Sequence, residues 1–338
     1  MLTNIIAQDS IDESKNIIQE SDSIVIVTHV GPDGDAMGSS LAMYNFLKKL
    51  QKENVRVIVP NKYPQCFTWM PQINQVLIYE ADKHLSNDLI EKADLLLMLD
   101  FNTIKRVDGM SEAVRCSAAK KILIDHHPYP DIISDVTISH PEISSCSEII
   151  FRFLCRMGYA LAIDTTIAEC IYTGMMTDTG NFSYNSNSPE IYHIIGELVK
   201  IGIDKDLIYS NVYNRQTADR LSFLGYCLSK KMKLIPEYNT ALITISQKEL
   251  EQFNYQPGDL EGVVNYPLSI EGIVFSVLMR EDTDKIKISF RSKGTFPTNQ
   301  VASELFNGGG HLNASGGESY ETLLKTANKL KAALPNYF

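Results

Sequence analysis

The chain lacks the features that mark secreted and membrane-spanning proteins. Its six cysteines include no C-x-x-C pair, and they lie mostly in apolar or helical stretches, which favours buried free thiols in a reducing compartment. No apolar run is long enough to span a membrane, and the polar N-terminus has no signal-peptide core. We therefore expect a soluble cytoplasmic protein with no membrane partner.

An excess of positive charge is also missing. The sequence has 31 Lys and Arg residues against 41 Asp and Glu residues, a net charge of −10. Binding along a nucleic-acid backbone depends on many basic side chains that displace counterions. The charge balance therefore argues against long double-stranded nucleic acid as a partner. It is compatible with a short phosphorylated substrate that is held by metal and a few Arg or Lys side chains.

Length and patterning predict two domains. A chain of 338 residues, 44% of them hydrophobic, is long enough for two cores. Strand and helix signals alternate from about residue 23 to residue 138, which is typical of a doubly wound α/β domain with a parallel sheet. We expect this first domain over residues 1–187, a helical connector over 188–236, and a smaller α/β domain over 237–338.

Three short apolar runs are each followed by acidic or imidazole side chains. Such runs are typical of strands that are buried on both faces of a parallel sheet, and ligands bind beyond the carboxyl ends of these strands. The side chains are His29, Asp33 and Asp35 after the first run, Asp100 after the second, and Asp125, His126 and His127 after the third. Because a buried carboxylate cluster is costly without counter-charge, we predict a divalent-metal site at this edge.

Each motif alone has an ordinary structural explanation. An Asp often caps a helix, and an Asp at a strand end is common, so a single motif is more often structural than catalytic. Their joint occurrence favours metal binding, and a helix from about Thr165 to Met176 adds Asp178 directly after it. Mixed carboxylate and imidazole ligands suit Mn²⁺, Mg²⁺, Co²⁺ or Fe²⁺, whereas structural zinc favours thiolates. More ligands than one ion needs imply two ions, which is the usual arrangement for displacement at phosphorus.

Further candidate residues would bind phosphate. Ser289 and Arg291 share one face of a predicted strand, and Arg binds phosphate in a bidentate manner. The segment Gly308–His311 is predicted to be a loop that presents N–H groups to an anion. A flexible turn is the better explanation of the glycines alone, but the adjoining His311 and the second pair Gly316-Gly317 favour substrate contact. Arg106 follows Asp100 closely, and a phosphate contact and a solvated surface position are equal alternatives for it.

Taken together, these motifs resemble those of the DHH phosphoesterases, named for the triad found here as Asp125-His126-His127. The resemblance covers nearly the whole chain and implies two divalent ions, Mn²⁺ first, with Mg²⁺ or Co²⁺ as alternatives. It implies that His29, Asp33 and Asp100 hold one ion, and that Asp35, Asp100, His126 and Asp178 hold the other. It also implies that His127 faces the substrate and that Asp125 orients the triad. The implied substrate contacts are Arg106, Ser289, Arg291, Gly309, Gly310 and His311.

Within this family the chain is most similar to the stand-alone nanoRNA hydrolases that also remove the 3′-phosphate of pAp. The similarity implies hydrolysis of short 5′-phosphorylated oligonucleotides, including linear dinucleotides such as pApA, in a cleft between the two domains. It also suggests a homodimer. The alternatives are a phosphatase of inorganic polyphosphate or other small phosphate esters, a cyclic-di-AMP phosphodiesterase, and a non-catalytic nucleotide-binding regulator. The intact set of metal ligands argues against the regulator.

Overall fold

The computed structural model describes residues 3–338 and divides into two compact units. The first unit ends at Arg215, and the second runs from Gln216 to Phe338. This division lies inside the segment that the sequence assigns to a helical connector. The first part of that segment packs with the first unit and the rest belongs to the second, while the predicted domain limits themselves stay predictions.

The first unit is built on a six-stranded sheet in which every strand pair is parallel, in the order β3-β2-β1-β4-β5-β6. The strands are β1 (Ser23–Val27), β2 (Asn54–Val59), β3 (Val76–Ile78), β4 (Leu95–Leu99), β5 (Lys120–Asp125) and β6 (Val136–Ser139). The strand order reverses between β1 and β4, and this is the point at which open parallel sheets bind ligands. The parallel α/β fold predicted for this region is confirmed.

Helices cover both faces of this sheet. They are α1 (Gln8–Glu20), α2 (Gly34–Lys49), α3 (Lys83–Glu91), α4 (Ser111–Cys116), α5 (Cys146–Arg156), α6 (Thr165–Asp178), α7 (Pro189–Ile201) and α8 (Lys205–Tyr213). Alternate residues of β1 point to opposite cores: Ile24 and Ile26 pack with α1, α2, α5 and α6, whereas Val25 and Val27 pack with α3 and α4. Burial on both faces explains why these strands are continuous apolar runs.

Helices α2, α5 and α6 approach one another closely through glycine. A Cβ on Gly38 of α2 would lie 2.6 Å from the carbonyl oxygen of Cys170 in α6. A Cβ on Gly174 of α6 would collide with Ser147 Oγ in α5 and would lie 2.7 Å from Asp35 Oδ1 in α2. The absence of side chains at these two positions lets the three helices meet beside the strand ends.

The second unit is a smaller α/β unit, as predicted, with a mixed sheet in the order β11-β12-β10-β9-β8-β7. The strands are β7 (Met232–Ile235), β8 (Thr240–Ile245), β9 (Phe275–Glu281), β10 (Ile286–Ser292), β11 (Gly309–Gly310) and β12 (Ala314–Ser319). Strands β8 and β9 pair in parallel, and the other strand pairs of this sheet are antiparallel. The helices are α9 (Ala218–Tyr226), α10 (Gln247–Gln252), α11 (Thr298–Leu305) and α12 (Leu323–Ala333).

Two residues of the glycine-rich segment that the sequence assigns to a loop, Gly309 and Gly310, instead form an edge strand. Gly309 pairs with Gly316, and Gly310 pairs with Ser315. The glycines allow this pairing, because a Cβ on Gly308 would collide with the Gly316 carbonyl oxygen and one on Gly310 would lie 2.6 Å from that of Ala314. The prediction of a loop was therefore wrong for these residues.

The cysteines are free thiols, but they are less uniformly buried than expected. Cys146, Cys170 and Cys227 are buried, whereas Cys116 is exposed. Between residues 3 and 338, no helix combines the length and the apolar character needed to cross a membrane.

Candidate metal centre

The segment after β1 carries three of the predicted ligands: His29 and Asp33 precede α2, and Asp35 lies in its first turn. Asp33 caps α2, because its Oδ1 accepts hydrogen bonds from the N–H groups of Asp35 and Ala36, both at 3.0 Å. Asp33 is therefore a helix-capping Asp, which is the structural explanation that the sequence allows for one acid of the segment after β1. It does not exclude metal binding, since the same Oδ1 also lies 3.8 Å from His29 Nε2.

Asp100 lies at the middle of the cluster and has a strained backbone. Its φ is +65°, a left-handed conformation that a non-glycine residue adopts at a cost and that often marks a functional site. Its Oδ2 lies 3.4 Å from His29 Nε2, and its Oδ1 lies 3.4 Å from His126 Nε2. Oδ1 is buried and accepts no hydrogen bond from the described residues. A buried carboxylate oxygen that receives no hydrogen bond is energetically costly, and a bound cation would compensate for that cost.

The DHH triad begins at the last residue of β5. Asp125 accepts a hydrogen bond from His127 N at 3.0 Å and faces His127 Nδ1 at 2.8 Å. His126 Nδ1 lies 3.3 Å from the Ile143 carbonyl oxygen. This oxygen can only accept, so Nδ1 carries the proton and Nε2 turns toward the carboxylates.

The remaining ligands come from the helices. Asp178 is the last residue of α6, and its Oδ2 lies 3.5 Å from His126 Nε2. Asp35, in the first turn of α2, lies 3.9 Å from the same nitrogen through Oδ2. After Asp178 the chain makes a left-handed turn, with positive φ at Gly180, Asn181 and Phe182.

Donor atoms lie close together in three groups, each within 4.8 Å. The groups are His29, Asp33 and Asp100; Asp35, His126 and Asp178; and Asp100, His126 and His127. The first two match the two predicted ligand sets, apart from the bridging role of Asp100, and Asp100 is shared between the first and the third. The groups contain carboxylate oxygens and imidazole nitrogens and no thiolate, a donor set that fits Mn²⁺, Mg²⁺ or Co²⁺ better than structural zinc.

The electrostatics of the cluster also favour a cation. Burial, followed by the charges of Asp100 and Asp178, raises the pKa of Asp35 well above its usual value. Burial and Asp100 raise the pKa of Asp125 to about 7. Burial opposes a charged His126, yet Asp178 and Asp100 outweigh it and raise its pKa. The isolated cluster therefore retains protons, and divalent cations would supply the same positive charge.

Arg106 lies beside this cluster. Its carbonyl oxygen accepts a hydrogen bond from Val30 N at 2.7 Å, which joins the loop after β4 to the loop after β1. Its positive charge acts to lower the pKa values of both His29 and Asp125. Arg106 is half-buried, and its contact with a phosphate stays a prediction.

The predicted substrate contacts of the second unit lie in or directly after two strands, β10 and β11, which both pair with β12. Ser289 of β10 is opposite Gly316 of β12, and Gly316 is opposite Gly309 of β11. Arg291 is opposite Ala314, whose carbonyl oxygen accepts a hydrogen bond from His311 N at 2.8 Å. The cleft in which these residues would meet the metal ligands stays a prediction.

Sequence reasoning missed the backbone donors that hold Asp35. Its Oδ2 accepts from Cys146 N at 2.6 Å and its Oδ1 from Ser147 N at 2.8 Å. The S-x-x-E motif at Ser145 and Glu148 predicts a capping box, and only half of it forms: Ser145 Oγ accepts from Glu148 N at 3.1 Å. The Glu148 carboxylate turns away and binds Ser144 and Arg152. The run of small polar residues from 144 to 147 was the available signal.

Asn102 was also missed. Its Nδ2 donates to the Pro128 carbonyl oxygen at 2.6 Å, and its own carbonyl oxygen accepts from Asp131 N at 2.9 Å. These two bonds tie the loop after the triad to the end of β4. The signal in the sequence was its position two residues after Asp100.

Both units match known domain families. The DHH family, N-terminal domain, matches residues 23–175, and the DHHA1 domain matches residues 239–335. The chain is 28% identical over 300 residues to the bifunctional oligoribonuclease and PAP phosphatase NrnA of Bacillus subtilis, with 88% of this chain and 90% of that protein covered.

Two solved structures are also similar. An exopolyphosphatase-related protein from Bacteroides fragilis is 53% identical, with a TM-score of 0.94 and coverage of 99% of this chain and 98% of that one. RecJ from Thermus thermophilus, solved with Mn²⁺, is 12% identical with a TM-score of 0.57, covering 99% of this chain and 56% of RecJ; this likeness shows the fold alone. The domain matches and the relatives together show that the chain belongs to the DHH family and is a metal-dependent phosphoesterase.

Proposed function

We propose that this chain is a two-metal phosphoesterase that hydrolyses short 5′-phosphorylated oligonucleotides, including pApA, and the 3′-phosphate of pAp. The observation that carries the proposal is the buried Asp100 carboxylate between two imidazoles, with one oxygen that accepts no hydrogen bond from the described residues. The substrate class follows the B. subtilis relative, whose name gives both activities and which aligns over about nine-tenths of each chain.

The metal ligands would be His29, Asp33 and Asp100 for one ion and Asp35, Asp100, His126 and Asp178 for the other, with Asp100 between them. We favour Mn²⁺, with Mg²⁺ or Co²⁺ as alternatives. When bound, such ions activate water and stabilise the charge that develops on phosphoryl oxygens.

The other residues of the first unit would bind the phosphate and move protons. Arg106 would hold a phosphoryl oxygen with its guanidinium. His127 would transfer a proton from Nε2 to the leaving oxygen, because its Nδ1 faces Asp125 at 2.8 Å and is therefore committed to that carboxylate. Asp125 would fix the ring orientation and take no direct part in the transfer.

The second unit would bind the rest of the substrate. Arg291, Ser289 and His311 would contact the terminal phosphate or the nucleotide, and the backbone at Gly309 and Gly310 would let the substrate approach closely. Gly309 is exposed, and a Cβ there would meet nothing within 4 Å. Packing within the protein therefore does not demand glycine at this position, which supports a close approach by the substrate.

The charge of the chain supports short substrates, since a net charge of −10 does not favour binding along the backbone of long double-stranded nucleic acid. A cytoplasmic location and a homodimer belong to the same proposal. Cell fractionation tests the first, and light scattering during gel filtration tests the second.

A polyphosphate phosphatase is the second candidate, because the similar B. fragilis structure is described as exopolyphosphatase-related. The experiment that separates the candidates is Mn²⁺-dependent product release from pAp, pApA, cyclic-di-AMP, inorganic polyphosphate and pyrophosphate, measured side by side. Turnover of pAp and pApA alone supports the proposal. Turnover confined to polyphosphate or pyrophosphate contradicts the nucleotide assignment, and turnover of cyclic-di-AMP in preference to pApA favours the cyclic phosphodiesterase. Tight nucleotide binding without any turnover favours the regulator.

A further inference from the structure

We propose that a charged network behind α5, made of the buried Glu148 and Arg152 and the half-buried Glu190, positions the metal ligands Asp35 and His126. We call it the α5 network. The inference rests on the ligand set of the proposed function, and it adds three positioning residues that contact neither the metal ligands nor the metal.

The residues that hold both ligands lie in one turn of chain at the start of α5. The Ile143 carbonyl oxygen lies 3.3 Å from His126 Nδ1, and the N–H groups of Cys146 and Ser147 donate to the two oxygens of Asp35 at 2.6 and 2.8 Å. The backbone over residues 143–147 therefore fixes the tautomer of one ligand and the orientation of the other. Outer hydrogen-bond partners of this kind set the affinity of a metal site.

Glu148 holds this turn in place through hydrogen bonds to its carboxylate. Its carboxylate accepts a hydrogen bond from Ser144 Oγ at 2.7 Å, on the residue that precedes the helix cap. The same carboxylate accepts from Arg152 Nε at 3.0 Å and from Arg152 Nη2 at 2.7 Å, one helical turn further on. Glu148 and Arg152 are 1% and 3% exposed, so solvent does not compete for these bonds.

The network continues to the start of α7. Arg152 Nη2 donates to Glu190 Oε2 at 2.7 Å, and Thr3 donates to the same carboxylate through N at 2.7 Å and Oγ1 at 2.9 Å. The Thr3 N–H and the Arg152 guanidinium hold the pKa of Glu190 at about 2. The turn that carries the ligand contacts is thus braced against a second helix and against the N-terminal segment.

Stability alone does not account for such a network. Desolvation cancels most of the attraction in a buried ion pair, and apolar residues of similar size often stabilise a fold equally well or better. The Glu148–Arg152 pair lies directly under the turn that orients two ligands, where a fixed geometry matters more than net stability. The geometry therefore points to ligand positioning as the role of the α5 network.

The test compares metal affinity with folding stability in full-length variants. Glu148→Leu combined with Arg152→Met removes both charges and keeps an apolar filling. Mn²⁺ binding to the metal-free protein is measured by calorimetry, and the melting temperature is measured on the same samples. We expect Mn²⁺ affinity to fall by about tenfold or more while the protein stays folded with a melting temperature close to that of the wild type.

A matched pair elsewhere provides the control. Lys231 and Glu249 form a half-buried ion pair in the second unit, at 2.8 Å, and Lys231→Met with Glu249→Leu removes it. This control should lower the melting temperature and leave Mn²⁺ affinity unchanged. Equal Mn²⁺ affinity in the wild type and the α5 double variant overturns the inference, and so does an equal loss of affinity in the control.

If the double variant does not fold, Glu148→Gln alone decides the question. Its amide oxygen still accepts from Ser144 or Arg152, so we expect a loss of Mn²⁺ affinity of a few fold, smaller than in a ligand variant such as Asp178→Asn. Unchanged Mn²⁺ affinity in Glu148→Gln overturns the inference. Failure of the wild type itself to bind Mn²⁺ is a different result. It contradicts the ligand set of the proposed function, and it therefore also overturns this inference.

Discussion

Gly174 of α6 lies directly against Asp35 of α2: a Cβ at Gly174 would be 2.7 Å from Asp35 Oδ1 and would also collide with Ser147 Oγ. Three helices therefore meet at a point where one of the proposed metal ligands is held. Rotation of the Ser147 hydroxyl would not relieve the overlap, because Ser147 Cβ would also lie 2.7 Å from the new methyl group. Asp35 is held in place by hydrogen bonds from the backbone N–H groups of Cys146 and Ser147.

We expect Gly174→Ala to lower the free energy of unfolding by about 1–3 kcal/mol through overpacking and to weaken Mn²⁺ binding by displacing Asp35. Chemical denaturation and calorimetry measure the two effects. Gly196→Ala is the matched control, since Gly196 is an exposed position in α7 with nothing within 4 Å of its Cβ. That change should stabilise the protein by about 0.5–1 kcal/mol, and Gly174→Ala with unaltered Mn²⁺ binding would contradict the close approach.

Asp100→Asn tests the residue on which both proposed ions depend. Asn removes the charge and keeps the size, and it tolerates the left-handed backbone that Asp100 adopts at φ +65°. We expect Mn²⁺-dependent turnover to fall by about a thousandfold or more, with an unchanged far-ultraviolet circular dichroism spectrum. Mn²⁺ stoichiometry measured on the same protein should also decrease, and retention of wild-type turnover would remove Asp100 from the bridging position.

The ends of the strands in the first unit could be predicted because two independent signals coincide there. β1, β4 and β5 are continuous apolar runs, and the topology of a parallel sheet brings their carboxyl ends to one edge. His29, Asp100 and Asp125 therefore had to lie close together once the runs were recognised as strands. Sheet topology alone is therefore enough to predict that these three residues lie close together.

The contacts that hold the ligands could not be predicted in the same way. The bond from Cys146 N to Asp35 joins residues 111 positions apart. The run of small polar residues from 144 to 147 indicates a turn there, but it does not identify Asp35 as the acceptor of a backbone N–H group. The half-formed capping box at Glu148 could not be predicted for the same reason. The Glu148 carboxylate binds Arg152 instead of the helix cap, and this choice depends on packing that the sequence motif does not describe. Strand β11 was missed because glycine-rich pairs look like loops when the opposing strand is not known.

Two neighbouring glycines in the second unit have opposite roles, and alanine separates them. Gly308→Ala would collide with the Gly316 carbonyl oxygen, so we expect a loss of about 1–3 kcal/mol in the free energy of unfolding. Gly309→Ala meets nothing within 4 Å, so the melting temperature should stay at the wild-type value. If Gly309 approaches the substrate, the KM for pAp should rise by about twofold to tenfold, the equivalent of one hydrogen bond.

The kinetic parameters of the Gly309→Ala variant test its proposed contact with the substrate. Steady-state assays on Gly309→Ala give KM and kcat separately, and kcat should change little because Gly309 supplies neither a proposed metal ligand nor the proposed proton donor. An unchanged KM for every substrate would remove Gly309 from the proposed contact surface. A lowered melting temperature would show that the open space beside Gly309 is filled by the protein itself.

The lowered pKa of Glu249 predicts how the free energy of unfolding depends on pH. Burial acts to raise the pKa of its carboxyl, but hydrogen bonds from Lys231, the Ser246 backbone and Tyr226 outweigh burial and lower the pKa from 4.5 to about 2. A carboxyl with a lowered folded-state pKa stabilises the fold above its unfolded-state pKa, and this contribution is lost as the pH falls through the folded-state value. The expected contribution is at most about 3 kcal/mol.

Glu249→Gln should therefore lower the free energy of unfolding at neutral pH, and the difference from the wild type should shrink between about pH 4.5 and pH 2. Urea titrations of both proteins across this range measure the difference directly. A stability difference that stays constant down to pH 2 would show that packing, and not the charge of the carboxylate, is what Glu249 contributes. A difference that grows as the pH falls would contradict the lowered pKa, because protonation of Glu249 in the wild type can only bring the two proteins closer together in stability.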